Sequence, residues 1–411
     1  MNVRGDTPTA DFRIPLEPSA DERDSSIRVA AVDRAPVRQS HATRRLEPVL
    51  HLVNGEHYAG AERVQDLLAL RLPALGFQVD FGCVKQGVFA AVRESQGAPL
   101  WEFHMRSRVD FTVVSHLVAL VRRNGYRIVH THTPRTAMLG RAVASIAGVP
   151  MIHHLHSPSW LDTQRPMRDM LNAAAERMSL VGASAVIAVS SELLRYGQRV
   201  GIPRERLRLV PNGVPTPGPL PEPRIPKQEW VLGSVGLFRP RKGLETLVDA
   251  LASLRVGGHP CRLRLVGAFE SPSYEALVRA RVDRLGLGSI VDRVGFTRDV
   301  HRQLLDMDLF VMPSRQAEGH PMAAIEAMAA GVPVIATRLE GISEMLGHGR
   351  YGLLVAPDRP AELARTVERV IRGEVDWVGL RRRAFARQRS YLSDTHMAEQ
   401  VATVYREVLK P

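Results

Sequence analysis

Seven prolines fall within residues 211–226, PNGVPTPGPLPEPRIP, near the middle of a chain of 411 residues. A stretch with so many fixed φ angles and missing amide donors forms neither helix nor central strand, and behaves as a stiff extended connector. It divides the chain into two halves, each long enough for a domain of its own. Before it, Val49–Val53 is a short apolar run, and Val64, Leu67, Leu68 and Leu72 mark one face of a helix. Gly76 ends that helix, Phe77–Val84 alternates into a strand, and further strands follow at Arg127–His130, Met151–His154 and Ala185–Val189. After it, Trp230–Gly236, Arg262–Val266, Asp308–Met312, Val332–Ala336 and Gly352–Val355 read as five more strands with helices between. Buried strands alternating with helices predict parallel sheets covered on both faces. The expected fold class is α/β, with two doubly wound Rossmann-like domains facing across a cleft that takes a nucleotide-bearing ligand. The expected divisions are a flexible N-terminal arm over 1–46, a first domain over 47–217, a Pro-rich linker over 218–228, a second domain over 229–388, and a C-terminal helix over 389–411 packing back on the first domain.

Composition narrows the classes. No apolar run approaches the ~20 residues of a membrane span, since even Leu117–Val121 meets Arg122 and Arg123. The opening residues, MNVRGDTPTADFRIPLEPSADERD, hold no apolar core of a secretory signal. Cys83 and Cys261, the two cysteines, supply neither a disulfide framework nor a four-cysteine zinc site, and read as buried small hydrophobes in a reducing cytosol. The 55 Lys+Arg against 43 Asp+Glu give a net charge of +12, and four of those cations are lysines. The excess is spread over both halves, and no zinc-finger or RNP-type motif accompanies it, so no nucleic-acid partner is expected. Phosphorylated small molecules and an acidic membrane face remain as anionic partners.

The strongest constellation lies in Pro313-Ser-Arg-Gln-Ala-Glu-Gly-His-Pro-Met-Ala-Ala-Ile-Glu. It puts Glu318 in a loop after a strand and Glu326 eight residues on, along a helix starting near Pro321. Proline suits the first turn of a helix, whose free N–H groups and positive dipole end cradle phosphate or sugar oxygens. Two carboxylates near such an end accept hydrogen bonds from vicinal hydroxyls.

This segment resembles the E-x7-E signature of retaining family 4 glycosyltransferases (glycosyl transferases group 1, GT-B fold). The resemblance covers residues 47–410, with a Gly-rich loop at Gly55–Glu62, Ser190, Pro211-Asn-Gly-Val and Lys242-Gly in the family's order. It implies an N-terminal acceptor-side domain and a C-terminal nucleotide-sugar-binding domain. By position, Glu318 corresponds to the acid on the donor-sugar hydroxyls and Glu326 to the one on the nucleotide ribose. Gly319, His320, Pro321 and Met322 correspond to the turn that holds the distal phosphate, and Lys242 to the diphosphate-binding lysine. The family has an arginine directly after the glycine where Leu237 stands here, so Arg239 is assigned as its substitute, with Arg241 as the competitor. Gly60 is expected to let backbone approach the donor phosphate or acceptor, and His156 corresponds to a histidine facing the reacting sugar.

The implied activity is metal-independent transfer, with retention, from a nucleotide-diphosphate sugar to a glycan or lipid-linked acceptor, with no cofactor. The implied location is cytoplasmic, with peripheral contact at the inner membrane face through Trp101–Arg108 and Trp160–Arg168. A nucleotide-sugar epimerase, and a nucleotide-sugar-binding protein without activity, are the alternatives. His130, His132, His153, His154 and His156 invite a metal reading, but alternation sends His153 and His154 to opposite faces, and no metal site is assigned. Asp306-Met-Asp308 mimics a metal-binding D-x-D and reads as turn chemistry instead.

Overall fold

The computed structural model describes residues 28–29, 46–103, 105, 110, 112–157, 177–223, 226, 229–316 and 318–410. The strands are β1 (Arg28–Val29), β2 (Glu47–Val53), β3 (Phe77–Cys83), β4 (Leu100–Glu102), β5 (Ile128–Thr131), β6 (Met151–Leu155), β7 (Ala185–Ala188), β8 (Leu207–Leu209), β9 (Trp230–Val235), β10 (Cys261–Val266), β11 (Val291–Gly295), β12 (Leu309–Met312), β13 (Val334–Thr337) and β14 (Leu353–Val355). The helices used below are α1 (Gly60–Arg71), α2 (Pro134–Ala147), α3 (Ser191–Arg199), α4 (Leu244–Val256), α5 (Met322–Ala329), α6 (Glu340–Met345), α7 (Trp377–Tyr391) and α8 (Asp394–Leu409).

The first sheet runs β1-β4-β3-β2-β5-β6-β7-β8 and the second β11-β10-β9-β12-β13-β14. Every neighbouring pair is parallel except β1 with β4, where Arg28 faces Glu102 and Val29 faces Trp101. Strand order reverses between β2 and β5 in the first sheet and between β9 and β12 in the second. These reversals are where doubly wound sheets open a crevice at their carboxyl ends. The central strands are short and buried on both faces, as in β5, β7, β12 and β13, and so read as unbroken apolar runs.

Apart from Arg28–Val29 and Leu46, the arm expected over 1–46 lies outside the described residues, as does Trp160–Arg168. Within that expected arm, Arg28–Val29 forms an edge strand. Three other strands escape the sequence pattern: β4 and β8 are three residues long, and β11 is a partly exposed edge of mixed polarity. Asp308 accepts from the Val231 N–H at 2.8 Å, and Asp306 pairs with Arg264 at 2.8 Å, so this D-x-D serves the sheet. Cys83 and Cys261 are free and buried.

The chain crosses between the two bodies twice. Outbound, Val214 donates to the Leu392 carbonyl at 2.9 Å; on the return, the Asp394 N–H donates to the Val214 carbonyl at 3.1 Å. The helix beyond this point, α8, lies on the N-terminal body: Arg71 bonds Asp394 at 2.6 Å, and the Tyr405 ring meets Phe77 edge-on at 5.1 Å between centroids. Met397, Val401 and Tyr405 are fully buried and join one apolar cluster with Val49, Leu68 and Phe81. Met397→Ala should therefore cost about 2–5 kcal/mol, read as a lower urea midpoint at unchanged slope. A loss under 0.5 kcal/mol would show that the helix is not docked.

Candidate active site

A cleft of about 1670 Å³ opens between the carboxyl ends of the two sheets. From the N-terminal side it is lined by the loop after β2 and by His132 and His156, which follow β5 and β6. From the C-terminal side it is lined by the loop after β9 and the segment from Glu318 to Glu326 after β12.

Gly60 opens α1 and Met322 opens α5, and a Cβ at Gly60 would lie 3.8 Å from the Met322 side chain. Two helix amino ends thus face one volume. Pro321 caps α5 with no side-chain hydrogen bond, so no side chain competes for the first-turn donors. In α1, the buried Glu62 carboxylate accepts from the Ala59 N–H at 3.2 Å. Anionic oxygen in this volume is favoured by both dipole ends.

The electrostatic centre is Glu318. It is buried, its Oε1 lies 2.7 Å from Lys242 Nζ and 3.4 Å from Arg241, and it accepts from the Ser314 hydroxyl at 3.1 Å. Burial pushes its carboxyl up, but Lys242 and Arg241 pull further and leave it below the ordinary carboxylate range. Burial likewise lowers the Lys242 ammonium, against the pull of Glu318. A short helical turn at Pro240–Lys242 sets the directions of both cations, and it closes on Gly243 at φ +65°, where a Cβ would strike the Pro313 carbonyl. That turn separates the two arginines: Arg241 stands at Glu318, whereas Arg239 lines the cleft with its Nε 2.9 Å from Glu270.

Glu326 is half-buried, its carboxyl raised by burial and drawn back by Arg63, which lies 3.7 Å away on α1. Arg63 is itself held by Glu94 and by the Tyr58 hydroxyl at 3.2 Å. At Gly319 a Cβ would lie 2.4 Å from the His156 carbonyl oxygen, so only glycine lets the loop after β12 touch the histidine strand. Next to it, the Asn212 side chain donates to the His320 carbonyl at 2.8 Å. The structure thus brings His156, Glu318, Gly319, His320, Pro321, Met322, Lys242 and Glu326 to one cleft, with Gly60 and Arg239 on its wall. Ser190 instead caps α3, accepting from the Leu193 N–H.

Several residues here were not singled out by the sequence. Arg63 and Glu94 carry no motif. Ser191 and Glu192 on α3 reach across to Glu344 and to the Gly341 N–H. His51 packs in a row with the buried His130, His132 and His154 that ends at half-buried His156; His153 points to the other face and bonds the Thr131 hydroxyl at 2.8 Å. Strand register is the signal for that row, because His51 pairs with His130. Burial lowers the His156 imidazole to about 3, so it is neutral.

Lys242→Met should raise the Glu318 carboxyl, because burial then loses its largest opposing charge. With its pKa below the usual range, Glu318 contributes stability that is intact above that range and lost as pH falls through its own value. In the variant that loss should be smaller and should be complete at a higher pH, followed by carboxyl-carbon NMR and thermal melts from pH 7 to 3; coincident curves for both proteins would show the pair uncoupled.

Known proteins share both halves of this arrangement. Residues 58–216 match the family model described as Glycosyltransferase Family 4, and residues 229–373 that described as Glycosyl transferases group 1. WcaL of Escherichia coli strain K12, named for colanic acid biosynthesis, is 31% identical over 179 residues, 41% of this chain and 43% of its own length. The chain therefore spans less than half of that relative. The alpha-maltose-1-phosphate synthase of Mycolicibacterium smegmatis is 29% identical over 311 residues, 68% of this chain and 79% of its own. The crystal structure of Anabaena HepE in complex with UDP-glucose shares the fold, with a TM-score of 0.78 at 23% identity over 88% of this chain and 99% of that one. A glycosyltransferase family model is thus matched in each body, and the two facing Rossmann-like domains have the GT-B fold.

Proposed function

We propose that the protein moves a sugar from a nucleotide-diphosphate donor to a glycan or lipid-linked acceptor, with retention of anomeric configuration and no metal in the transfer step. The observation that carries this reading is the meeting of buried Glu318, Lys242 and Arg241 with the uncapped amino end of α5. A leaving nucleoside diphosphate gains charge as its bond to the sugar breaks. Fixed cations and backbone donors in a confined cleft offset that charge without reorganising. Glu318 accepts from donor-sugar hydroxyls, and Glu326 takes the ribose hydroxyls in exchange for Arg63. Arg241 supports the diphosphate beside Lys242, and Arg239 is released for it when Glu270 lets go.

The bond between the anomeric carbon and the phosphate oxygen breaks while the acceptor oxygen bonds the same face through an oxocarbenium-like state. The acceptor proton goes to the departing phosphate. Neutral His156, beside Gly319, hydrogen-bonds the sugar and adds no charge to a cationic transition state. Domain closure excludes water and aligns the acceptor. No described helix is long and apolar enough to cross a membrane. We place the protein in the cytoplasm, in peripheral contact with the inner membrane face when its acceptor is lipid-linked; the net charge of +12 supports attraction to an acidic surface.

A panel of nucleotide sugars, assayed for nucleoside diphosphate release with and without acceptor, tests the reading. Transfer predicts slow hydrolysis without acceptor, whereas an epimerised donor would replace it with the epimerase reading. Lys242→Ala should lower kcat about 10²–10³-fold. Glu326→Ala should abolish donor turnover with an unchanged circular dichroism spectrum; full activity in that variant would overturn the assignment.

A further inference from the structure

The transfer reading uses one histidine, yet the floor of the N-terminal body buries a row of them. His51, His130 and His132 come from β2 and from the end of β5, and each is at most 3% exposed. Their rings lie 4.3 to 5.2 Å apart between centroids, and one nitrogen from each falls within 4.8 Å of one from each of the others. Two ring nitrogens are satisfied by one group: the Tyr405 hydroxyl lies 2.8 Å from His51 Nε2 and 2.6 Å from His130 Nδ1. A third is satisfied by a neighbour, with His132 Nδ1 3.1 Å from His156 Nε2. The remaining nitrogen of each ring, His51 Nδ1, His130 Nε2 and His132 Nε2, is buried without a partner.

Three orphaned imidazole nitrogens in one buried cluster are a standing cost of folding that hydrophobic packing does not relieve. Neutral imidazole is the form that ligates metal. Metal-bound histidines characteristically give their other nitrogen to an outer partner, as these three do to Tyr405 and His156.

We propose that His51, His130 and His132 hold a divalent transition-metal ion of the zinc class. An all-imidazole set without thiolate or carboxylate suits zinc, and excludes calcium and magnesium by its lack of oxygen. His154 is a further donor beside the triad, its ring 5.6 Å from that of His130 and neither of its nitrogens partnered. The ion would act structurally. It fixes the rings that Tyr405 grips, and so fastens α8 to the N-terminal sheet. With Nε2 of His132 on the metal, its Nδ1–H donates to His156 Nε2, which fixes Nδ1 as the protonated nitrogen of His156. Binding requires no sugar donor and is independent of the transfer reading.

The test uses untagged full-length protein purified without chelator. Elemental analysis should find about one equivalent of zinc, and stripped protein titrated with Co²⁺ should develop visible d–d bands. Zinc at a hundredfold excess over Kd should raise the Tm of stripped protein by about 5 °C. The double variant His51→Gln/His130→Gln should lose the metal and the Co²⁺ bands while keeping its circular dichroism spectrum. Should that variant fail to fold, the wild-type Tm response decides. Wild-type protein with neither bound metal, Co²⁺ spectrum nor Tm response overturns the proposal, and so does metal retained by a folded double variant.

Discussion

Everything about the cleft depends on how the two bodies are joined, and they are joined by backbone. The outbound and returning crossings run side by side, with Val214 exchanging hydrogen bonds with Leu392 and Asp394. Gly213 carries no side chain because a Cβ there would sit 2.1 Å from the Ser393 carbonyl. The Gln388 side chain adds a further bond to the Val214 carbonyl at 2.8 Å. These contacts tie the two crossings side by side where the reversal points of the two sheets face each other. The smaller contacts across the cleft, Asn212 to His320 and Ser191 to Glu344, depend on that alignment.

Within the cleft, one carboxylate organises the charges. Glu318 would be costly to bury alone; Lys242 and Arg241 make it tolerable, and it in turn keeps two cations close together without their repelling the loop apart. The cluster therefore carries excess positive charge, directed at a volume already biased by two helix amino ends. An anion entering there completes the balance. Glu326 and Arg63 add a second, looser pair spanning both bodies at 3.7 Å.

Much of this was legible in the sequence because it rests on spacing. Buried parallel strands appear as apolar runs, and the E-x7-E interval needs only a loop and two turns of helix. What escaped depends on direction or on partners distant in sequence. Arg239 and Arg241 differ by two positions in a tight turn, and only the turn's geometry decides which reaches Glu318. His51 looks like an interruption in an apolar strand until the parallel register sets it beside His130. Short edge strands such as β4 and β8 hold too few residues for any period to emerge. The partnership of Arg63 with Glu326 joins positions 263 residues apart, where neither neighbourhood carries a signal.

The placement of α8 bears on how such a protein can be recombined. Its anchoring contacts, Asp394 with Arg71 and Tyr405 with Phe77, His51 and His130, belong to the N-terminal body, although it is encoded after the entire C-terminal body. The N-terminal body is consequently discontinuous, made of the described residues among 46–214 together with 394–410, and the second body is in effect an insertion within the first. A chimera cut once, at the proline-rich segment, would leave the helix facing a foreign surface. One cut at both crossings would carry an intact N-terminal body onto a new C-terminal partner.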